Sequence, residues 1–329
     1  CDYDERIMTS HSPSASSSTA TPGVCIAATA SGSGKTTIAT GLIAALASRM
    51  KVAPFKVGPD YIDPGYHSVA SGCVGRNLDS VLCGNDLIGP LYHYGSQHAD
   101  IAVVEGVMGL FDGRISDGAG STADIAATLG IPILLIVDVR GMSQSVGAVV
   151  RGFATARSDV RIAGVILNKV GSDRHAAVCW EAVEAEGIPV VGSIPRQHDI
   201  VVPSRHLGLV TAIEHGEAAL KAIQSMEKLI EQTCDVDRIS ALADCSYTGL
   251  MWDPTTVVDK VGQPTIAMAG GPAFTFGYAE HRELLEAAGA TVVVFDPLQD
   301  ALPTCDGLII PGGFPEEHVV ELAARQDLR

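Results

Sequence analysis

The stretch Thr29-Ala-Ser-Gly-Ser-Gly-Lys-Thr-Thr37 limits what this chain can become more than any other segment does. It follows an apolar strand candidate at 24–28 and opens a run with helical character at 37–50. A glycine-rich turn between a strand and a helix aims successive backbone N–H groups, and the positive end of the helix dipole, at one point. Gly32 and Gly34 can take the positive φ that such a curl around a phosphate requires. Lys35 is spaced to reach the β- and γ-phosphates of a nucleotide, and the Thr36 hydroxyl to bind Mg²⁺. Ser33 and Thr37 complete the expected nucleotide-binding loop. One position departs from the G-x-x-x-x-G-K-[ST] pattern, because Thr29 stands where the first glycine is usual. The plain alternative is a tight strand–helix turn with an exposed lysine.

Chain length and charge narrow the rest. With 329 residues and 47% hydrophobic content, the chain has room for two packed domains. A net charge of −16 argues against nucleic acid as the main partner. An anionic substrate would approach against that field, so local basic groups must supply the attraction. No run of 18 apolar residues exists and no signal-peptide pattern opens the sequence, so a cytoplasmic enzyme without a membrane partner is expected. Its eight cysteines are scattered with no C-x-x-C pair, which suits small buried hydrophobes in a reducing compartment. A first residue of Cys1 points to a missing upstream piece or to Met8 as the natural start.

Residues 1–22 are rich in Ser, Thr, Ala and Pro without apolar periodicity and read as a disordered tail. Strand candidates follow at 24–28, 52–57, 101–107, 131–139, 162–168 and 190–194, mostly continuous apolar runs. Such runs, alternating with helical stretches, predict a doubly wound α/β domain around a mostly parallel sheet buried on both faces. In that architecture ligands bind beyond the carboxyl ends of the strands. The domain is predicted to span 23–245, with 246–262 as a linker. A second β/α unit at 263–329, with strands near 265–269 and 291–295 and a helix at 278–288, is too short for a finished parallel-sheet domain and is expected to be cut off.

The residues that follow the strands carry the chemistry. After 52–57 come Asp60 and Asp63, flanked by Pro59 and Pro64, either a Mg²⁺- or substrate-orienting pair or a solvated turn. Glu105 ends the strand at 101–104, where phosphate-loop enzymes hold a metal or its water; Asp112 lies further along the same loop. Asn168 ends a later strand and is either a purine-edge reader or a turn residue; Gly171 rules out the Asn-Lys-x-Asp guanine pattern and favours adenine. Arg196, Arg205 and His206 are polar groups suited to a phosphate or carboxylate, although a lone histidine is more often structural.

Four runs together resemble one family: Pro54-Phe-Lys-Val-Gly-Pro-Asp-Tyr-Ile-Asp-Pro64, Glu105-Gly-Val-Met-Gly-Leu-Phe-Asp-Gly113, Gly120-Ser-Thr-Ala123 and Arg205-His-Leu-Gly-Leu-Val210. They closely resemble the cobyrinic and hydrogenobyrinic acid a,c-diamide synthases, in colinear order from about residue 24 onward. Ala273-Phe-Thr-Phe-Gly-Tyr278 and Pro311-Gly-Gly-Phe-Pro-Glu316 resemble the entrance of the same family's class I-type glutamine amidotransferase domain. The resemblance implies an ATP- and Mg²⁺-dependent ligase acting on a corrinoid polycarboxylate, with glutamine or ammonia as nitrogen source and a homodimer as assembly. It implies that Lys35 and Lys56 contact the phosphoryl group and that Thr36 and Glu105 hold the metal. Asp60, Tyr61 and Asp63, with Arg205 and His206, would line the substrate site, and Asp112 would assist. No glutaminase nucleophile is expected in this stretch, since Cys305 lacks the glycine setting of a nucleophile elbow.

Other readings remain. A cobyric acid synthase shares both domains but amidates different side chains. A dethiobiotin synthetase shares the nucleotide fold without a second domain. A regulatory ATPase of the partitioning kind carries a lysine early in the loop, where this chain has Ala30 and Ser31, and lacks the Asp-Tyr-Ile-Asp turn.

Overall fold

A computed structural model describes residues 19–196 and 212–328. Seven strands form one parallel sheet in the order β3-β2-β4-β1-β5-β6-β7. They are β1 (Gly23–Ala28), β2 (Val52–Val57), β3 (Arg76–Leu78), β4 (Ile101–Glu105), β5 (Ile133–Asp138), β6 (Ile162–Val170) and β7 (Val190–Pro195). The connecting helices are α1 (Lys35–Ala47), α2 (Asp63–Ser71), α3 (Ile88–Ser96), α4 (Thr122–Leu129), α5 (Ser145–Thr155) and α6 (Asp173–Glu184). After β7 come α7 (Ala212–Thr233) and α8 (Val236–Ala241).

The sheet is covered on both faces. Along β1, Val24, Ile26 and Ala28 face α1, α7 and α8, whereas Cys25 and Ala27 face the side of α3, α4, α5 and α6. That burial on both sides is why the strands read as continuous apolar runs rather than alternating ones. Helix α1 is apolar nearly all round because it lies between the sheet and α7. Cys25, Cys179 and Cys245 are buried, and none of the seven described cysteines is paired. No helix among the described residues is long and apolar enough to cross a membrane.

Several strand ends shift by one or two residues, and four larger features depart from the sequence reading. Residues 19–22, assigned above to a disordered tail, are packed: Ala20 is buried and Thr21 Oγ1 donates to the Ser96 carbonyl at 2.7 Å. The first helix begins at Lys35, two residues early, because Gly34 in the left-handed region turns the chain directly into it. The short edge strand β3 has no strand-like signature, since Arg and Asn precede its one apolar residue; it is held by pairing with β2. The stretch 246–262 carries the helical turn α9 (Pro254–Val257), and Trp252 packs into the main core edge-on to Tyr94.

Beyond it, β8 (Thr265–Ala269), α10 (Ala279–Ala287), β9 (Thr291–Phe295) and β10 (Gly307–Ile309) build a second, three-stranded parallel sheet in the order β10-β8-β9. Its core is small, centred on Ala267, Ala269 and Phe295 with Phe274 and Cys305 against them. The two units are joined by an ion cluster. Arg76 of β3 donates to Glu280 at 2.6 Å and to both carboxylate oxygens of Glu283, and its guanidinium lies over the Tyr94 ring.

Gly41 shows how tightly α1 is held. A Cβ there would lie 2.6 Å from the Met226 carbonyl oxygen and 2.8 Å from Ile230 Cγ1 of α7. Replacing glycine by alanine inside a helix ordinarily stabilises by up to about 1 kcal/mol. Here backbone must move, and overpacking of this kind costs roughly 1–3 kcal/mol. Gly41→Ala is therefore expected to lower the urea midpoint at unchanged slope; a raised midpoint would show that α7 yields freely.

Candidate nucleotide and acidic site

The glycine loop is anchored from three sides. Asn168, at the end of β6, donates from Nδ2 to the Ser33 carbonyl at 2.8 Å, and its Oδ1 accepts the Lys169 backbone N–H at 2.8 Å. Lys169, itself at positive φ, donates from Nζ to the Gly32 carbonyl and to Asp138 Oδ2. Lys35 Nζ donates to the carbonyl of Met108, in the loop that follows β4. That loop is tied in turn by Thr122, whose Oγ1 accepts from the Val107 N–H at 2.9 Å, while Ser121 and Asp124 cap α4 as a reciprocal pair. Burial lowers the Lys35 ammonium from its ordinary range, an effect that Glu105 opposes. Gly32, Ser33, Gly34, Lys35, Thr36 and Thr37 thus form a pre-set loop into the first turn of α1.

The acidic residues converge beside that turn. In the parallel register Lys56 of β2 sits opposite Glu105 of β4, and Lys56 Nζ donates to Glu105 Oε1 at 2.9 Å. The same ammonium donates to Asp63 Oδ2 at 2.6 Å and lies 3.8 Å from Asp60 Oδ2. Thr36 Oγ1 donates to Glu105 Oε1 at 2.7 Å and is 3.2 Å from Asp63 Oδ2. His67 of α2, fully buried, brings Nε2 to 2.8 Å from Glu105 Oε2, a charge-distance contact that is not aligned as a regular hydrogen bond.

These contacts set the ionisation. Burial alone would raise Glu105, but Lys56 and His67 outweigh it and hold its carboxyl well below the usual range. Burial alone would lower Lys56, but Glu105, Asp63 and Asp60 hold its ammonium above the usual range. Asp63 goes the other way: burial, and then the negative charge of Glu105, push it up to about 6.

A Mg²⁺ ion prefers hard oxygen donors and keeps several waters, so one or two carboxylates and a hydroxyl suffice beside phosphate oxygens. Thr36, Glu105 and Asp63 offer that donor set within one hydrogen-bonded cluster, and the residues therefore fit the ion. Among the described residues no group of three or more His, Cys, Asp or Glu side chains is placed to hold a metal ion without further ligands.

Other expected residues fall into place unevenly. Asp60 Oδ1 accepts the backbone N–H groups of Ile62 and Asp63 at 2.9 and 3.0 Å, so it shapes the turn while its second oxygen faces Lys56. Tyr61 points toward the second unit. Asp112 is exposed, accepts from the Gly109 N–H, and acts on Lys35 through its charge. Both polar ends of Asn168 are engaged within the protein, which favours loop support over base reading. Arg196 is exposed and lines a cleft of about 420 Å³ with Gly171, Ser172, Asp173 and Ser193, at the carboxyl ends of β6 and β7. Arg205 and His206 lie outside the described residues.

Three contributors were missed. His67 is a lone histidine on a helix, with no sequence signal beyond its place after Asp63-Pro64. Asn77 donates to the carbonyls of Gly58 and Asp60, holding the acidic loop, but stands in the unforeseen β3. Lys169 follows Asn168 directly and was legible only as its neighbour.

Residues 24–210 match the CobQ/CobB/MinD/ParA nucleotide binding domain. The hydrogenobyrinate a,c-diamide synthase of Mycobacterium tuberculosis (strain ATCC 25618 / H37Rv) is 54% identical over 315 residues, covering 93% of this chain and 69% of that protein. The chain belongs to the a,c-diamide synthase family. A second member of the family, the hydrogenobyrinate a,c-diamide synthase of Streptomyces coelicolor, is 48% identical, covering 96% of this chain and 73% of that protein. The cobyrinate a,c-diamide synthase of Picrophilus torridus is 40% identical, covering 89% and 67%. A solved structure of the signal recognition particle receptor FtsY from Elizabethkingia anophelis shares 16% identity at a TM-score of 0.39, over 55% of this chain and 59% of its own, too distant to inform the site.

Asp63 supplies a test of the site's electrostatics. Its folded pKa lies above the ordinary value of 3.8, so the fold loses stability as pH rises from about 4 to about 6; the cost is absent below that range and complete above it. In nucleotide- and magnesium-free protein, Asp63→Asn is expected to raise stability at pH 8 by roughly 2–3 kcal/mol. The gain should vanish near pH 4. Urea titrations at the two pH values check this, and a variant less stable than wild type at pH 8 would refute the sign.

Proposed function

We propose that this chain amidates the a and c acetate carboxylates of a corrin-ring polycarboxylate at the expense of ATP, a step of cobalamin biosynthesis. The observation that carries this reading is the 54% identity, spread over 93% of the chain, to a hydrogenobyrinate a,c-diamide synthase. The convergence of the glycine loop with Asp60, Asp63 and Glu105 supports it, since a carboxylate-activating ligase must bring a nucleotide and an acid together. Of the two ring types, the identity gradient favours hydrogenobyrinate, with 54% and 48% against 40% for the cobyrinate enzyme.

A carboxylate is a poor acyl donor until one oxygen becomes a leaving group. In the proposed first half, a substrate carboxylate oxygen attacks the γ-phosphorus of ATP, the bond to the bridging oxygen breaks, and ADP leaves. In the second half, ammonia adds to the acyl carbon, the C–O bond to phosphate breaks, and the nitrogen loses a proton to give the amide. Gly32, Ser33, Gly34, Thr36 and Thr37 cradle the phosphates by backbone and hydroxyl groups, and Lys35 neutralises developing charge. Thr36 and Glu105, with Asp63 beside them, would hold Mg²⁺. The ion supplies charge neutralisation at the transferred phosphoryl group. Lys56, already engaged by Asp63 and Glu105, keeps those carboxylates in place and contributes its positive field. Arg196 and its cleft suit the nucleoside end, and Asp60 and Tyr61 the ring substrate.

Within this reading, 23–245 is the amidoligase domain, and 263–329 belongs to a class I glutamine amidotransferase-like domain that would draw ammonia from glutamine. Its two family-like motifs and parallel three-stranded sheet support that assignment. The homodimer implied by the resemblance is part of the same proposal.

The test supplies ATP, Mg²⁺ and ammonium, with hydrogenobyrinate or cobyrinate, and follows product mass and ADP together. Stepwise appearance of one and then two amides, with ADP formed only when ring is present, is expected. ATP turnover indifferent to the ring would refute the reading. Glu105→Gln, which removes the charge while keeping the shape, should lower kcat by about 10²-fold or more.

A further inference from the structure

Both motifs of the second unit end on the acidic loop of the first. The ring of Tyr61, which stands between Asp60 and Asp63, stacks on Phe276 with centroids 5.1 Å apart and on Tyr278 with centroids 5.4 Å apart. Phe314 meets Phe276 edge-on at 5.0 Å. Phe276 and Phe314 also pack against the cluster that includes Ile62, within the loop, and Tyr66, just after it.

The clamp has its own supports. The Phe276 N–H donates to the Gly312 carbonyl at 2.9 Å and the Phe314 N–H to the Ala273 carbonyl at 3.1 Å, which locks the two motifs together. Gly313 allows this approach, because a Cβ there would lie 2.1 Å from the Ala273 carbonyl oxygen. Tyr278 Oη donates to Asp79 Oδ2 at 2.8 Å. Asp79 is fully buried and accepts the N–H groups of Val81 and Leu82 through its other oxygen, so this anchor point is rigid. The Arg76 cluster with Glu280 and Glu283 fixes α10 immediately downstream of Tyr278.

We infer that Phe276 and Tyr278 are positioning residues for the amidation site: through Tyr61 they hold Asp60 and Asp63 in register with Lys56 and Thr36. This rests on the amidoligase reading. It adds that the second unit completes the ligase site itself, apart from any part in supplying nitrogen. The physical reason is that the ring of Tyr61, midway along the loop, has its aromatic partners in the second unit. Asp60 Oδ1 and Asn77 hold its backbone, but Tyr61 is only half-buried and its rings of contact belong to the other unit. A loop freed of that stack would sample orientations in which Asp63 no longer meets Lys56, and displacements near 1 Å at a reacting centre can cost about 10²-fold in rate.

The experiment uses the whole chain with ammonium as nitrogen source, which removes glutamine hydrolysis from the readout. Phe276→Ala is expected to lower kcat/KM for the ring by about 10-fold or more. Affinity for a non-hydrolysable ATP analogue should stay within about twofold, since the phosphate loop is anchored by Asn168, Lys169 and the β4 loop. Amide hydrogen exchange at 60–63 should accelerate by about 10-fold, with exchange in the phosphate loop unchanged. Phe276→Tyr, which keeps the ring, should restore both. Should the alanine variant fail to fold, Phe276→Leu preserves apolar bulk against Ile62 and Phe314 while removing the stack, and the same changes are expected at reduced size. Unchanged exchange at 60–63, or wild-type kcat/KM in the alanine or leucine variant, overturns the inference. Absence of amidation by the wild type would refute the function and leave the exchange measurement to judge the clamp by itself.

Discussion

The buried pair of Lys56 and Glu105 is the contact on which the site's organisation depends. Two charges withdrawn from water at the carboxyl ends of adjacent parallel strands carry a large desolvation cost, and only close, well-partnered geometry offsets it. Here β2 and β4 place the two side chains opposite each other, and Thr36, Asp63 and His67 occupy the remaining approaches. The pair therefore ties together the sheet register, the first turn of α1 and the start of α2. Asp63 beside it is hard to ionise, because burial and the negative charge of Glu105 outweigh the attraction of Lys56.

Around that pair the phosphate-binding loop is pre-organised by groups outside it. Asn168, Lys169, Met108 and Thr122 come from the ends of β6 and β4 and the start of α4. Each contact fixes backbone that would otherwise have to reorganise when charge moves, which is the condition under which fixed dipoles stabilise a transition state most. In a chain of net charge −16, Lys56 and Lys169 are committed to carboxylates, whereas Lys35 reaches the Met108 carbonyl beside the loop.

The second unit is more than an appendage to this arrangement. Its contact with the first combines the Arg76 ion cluster, the Tyr278–Asp79 hydrogen bond and the aromatic stack on Tyr61. They fall on β3, on the residue just after it and on the loop that follows β2, the edge of the sheet nearest the acidic residues. An edge strand as short as β3 has little intrinsic stability, and the partners supplied by α10 help to account for its presence. The segment 246–262 also packs against the first unit through Trp252.

The sequence by itself determined the phosphate loop, the parallel α/β class and the candidate acids, because each rests on local chemistry: glycine at positive φ, apolar runs of strand length, and carboxylates at strand ends. It also pointed to the family through colinear motifs. Tertiary structure alone decided what those residues touch. Lys56 turned out to be the counter-ion of three carboxylates and Asn168 a brace for the loop, facts that depend on strand register and not on spacing. His67 and Asn77 carried no local signal, and the motif that holds Phe276 and Tyr278 gave no sign of its contact with Tyr61, because the partners lie on other elements or, for the clamp, more than two hundred residues away in the chain. Contacts between distant segments exist only once the sheets have formed, and pattern within a window of neighbours cannot encode them.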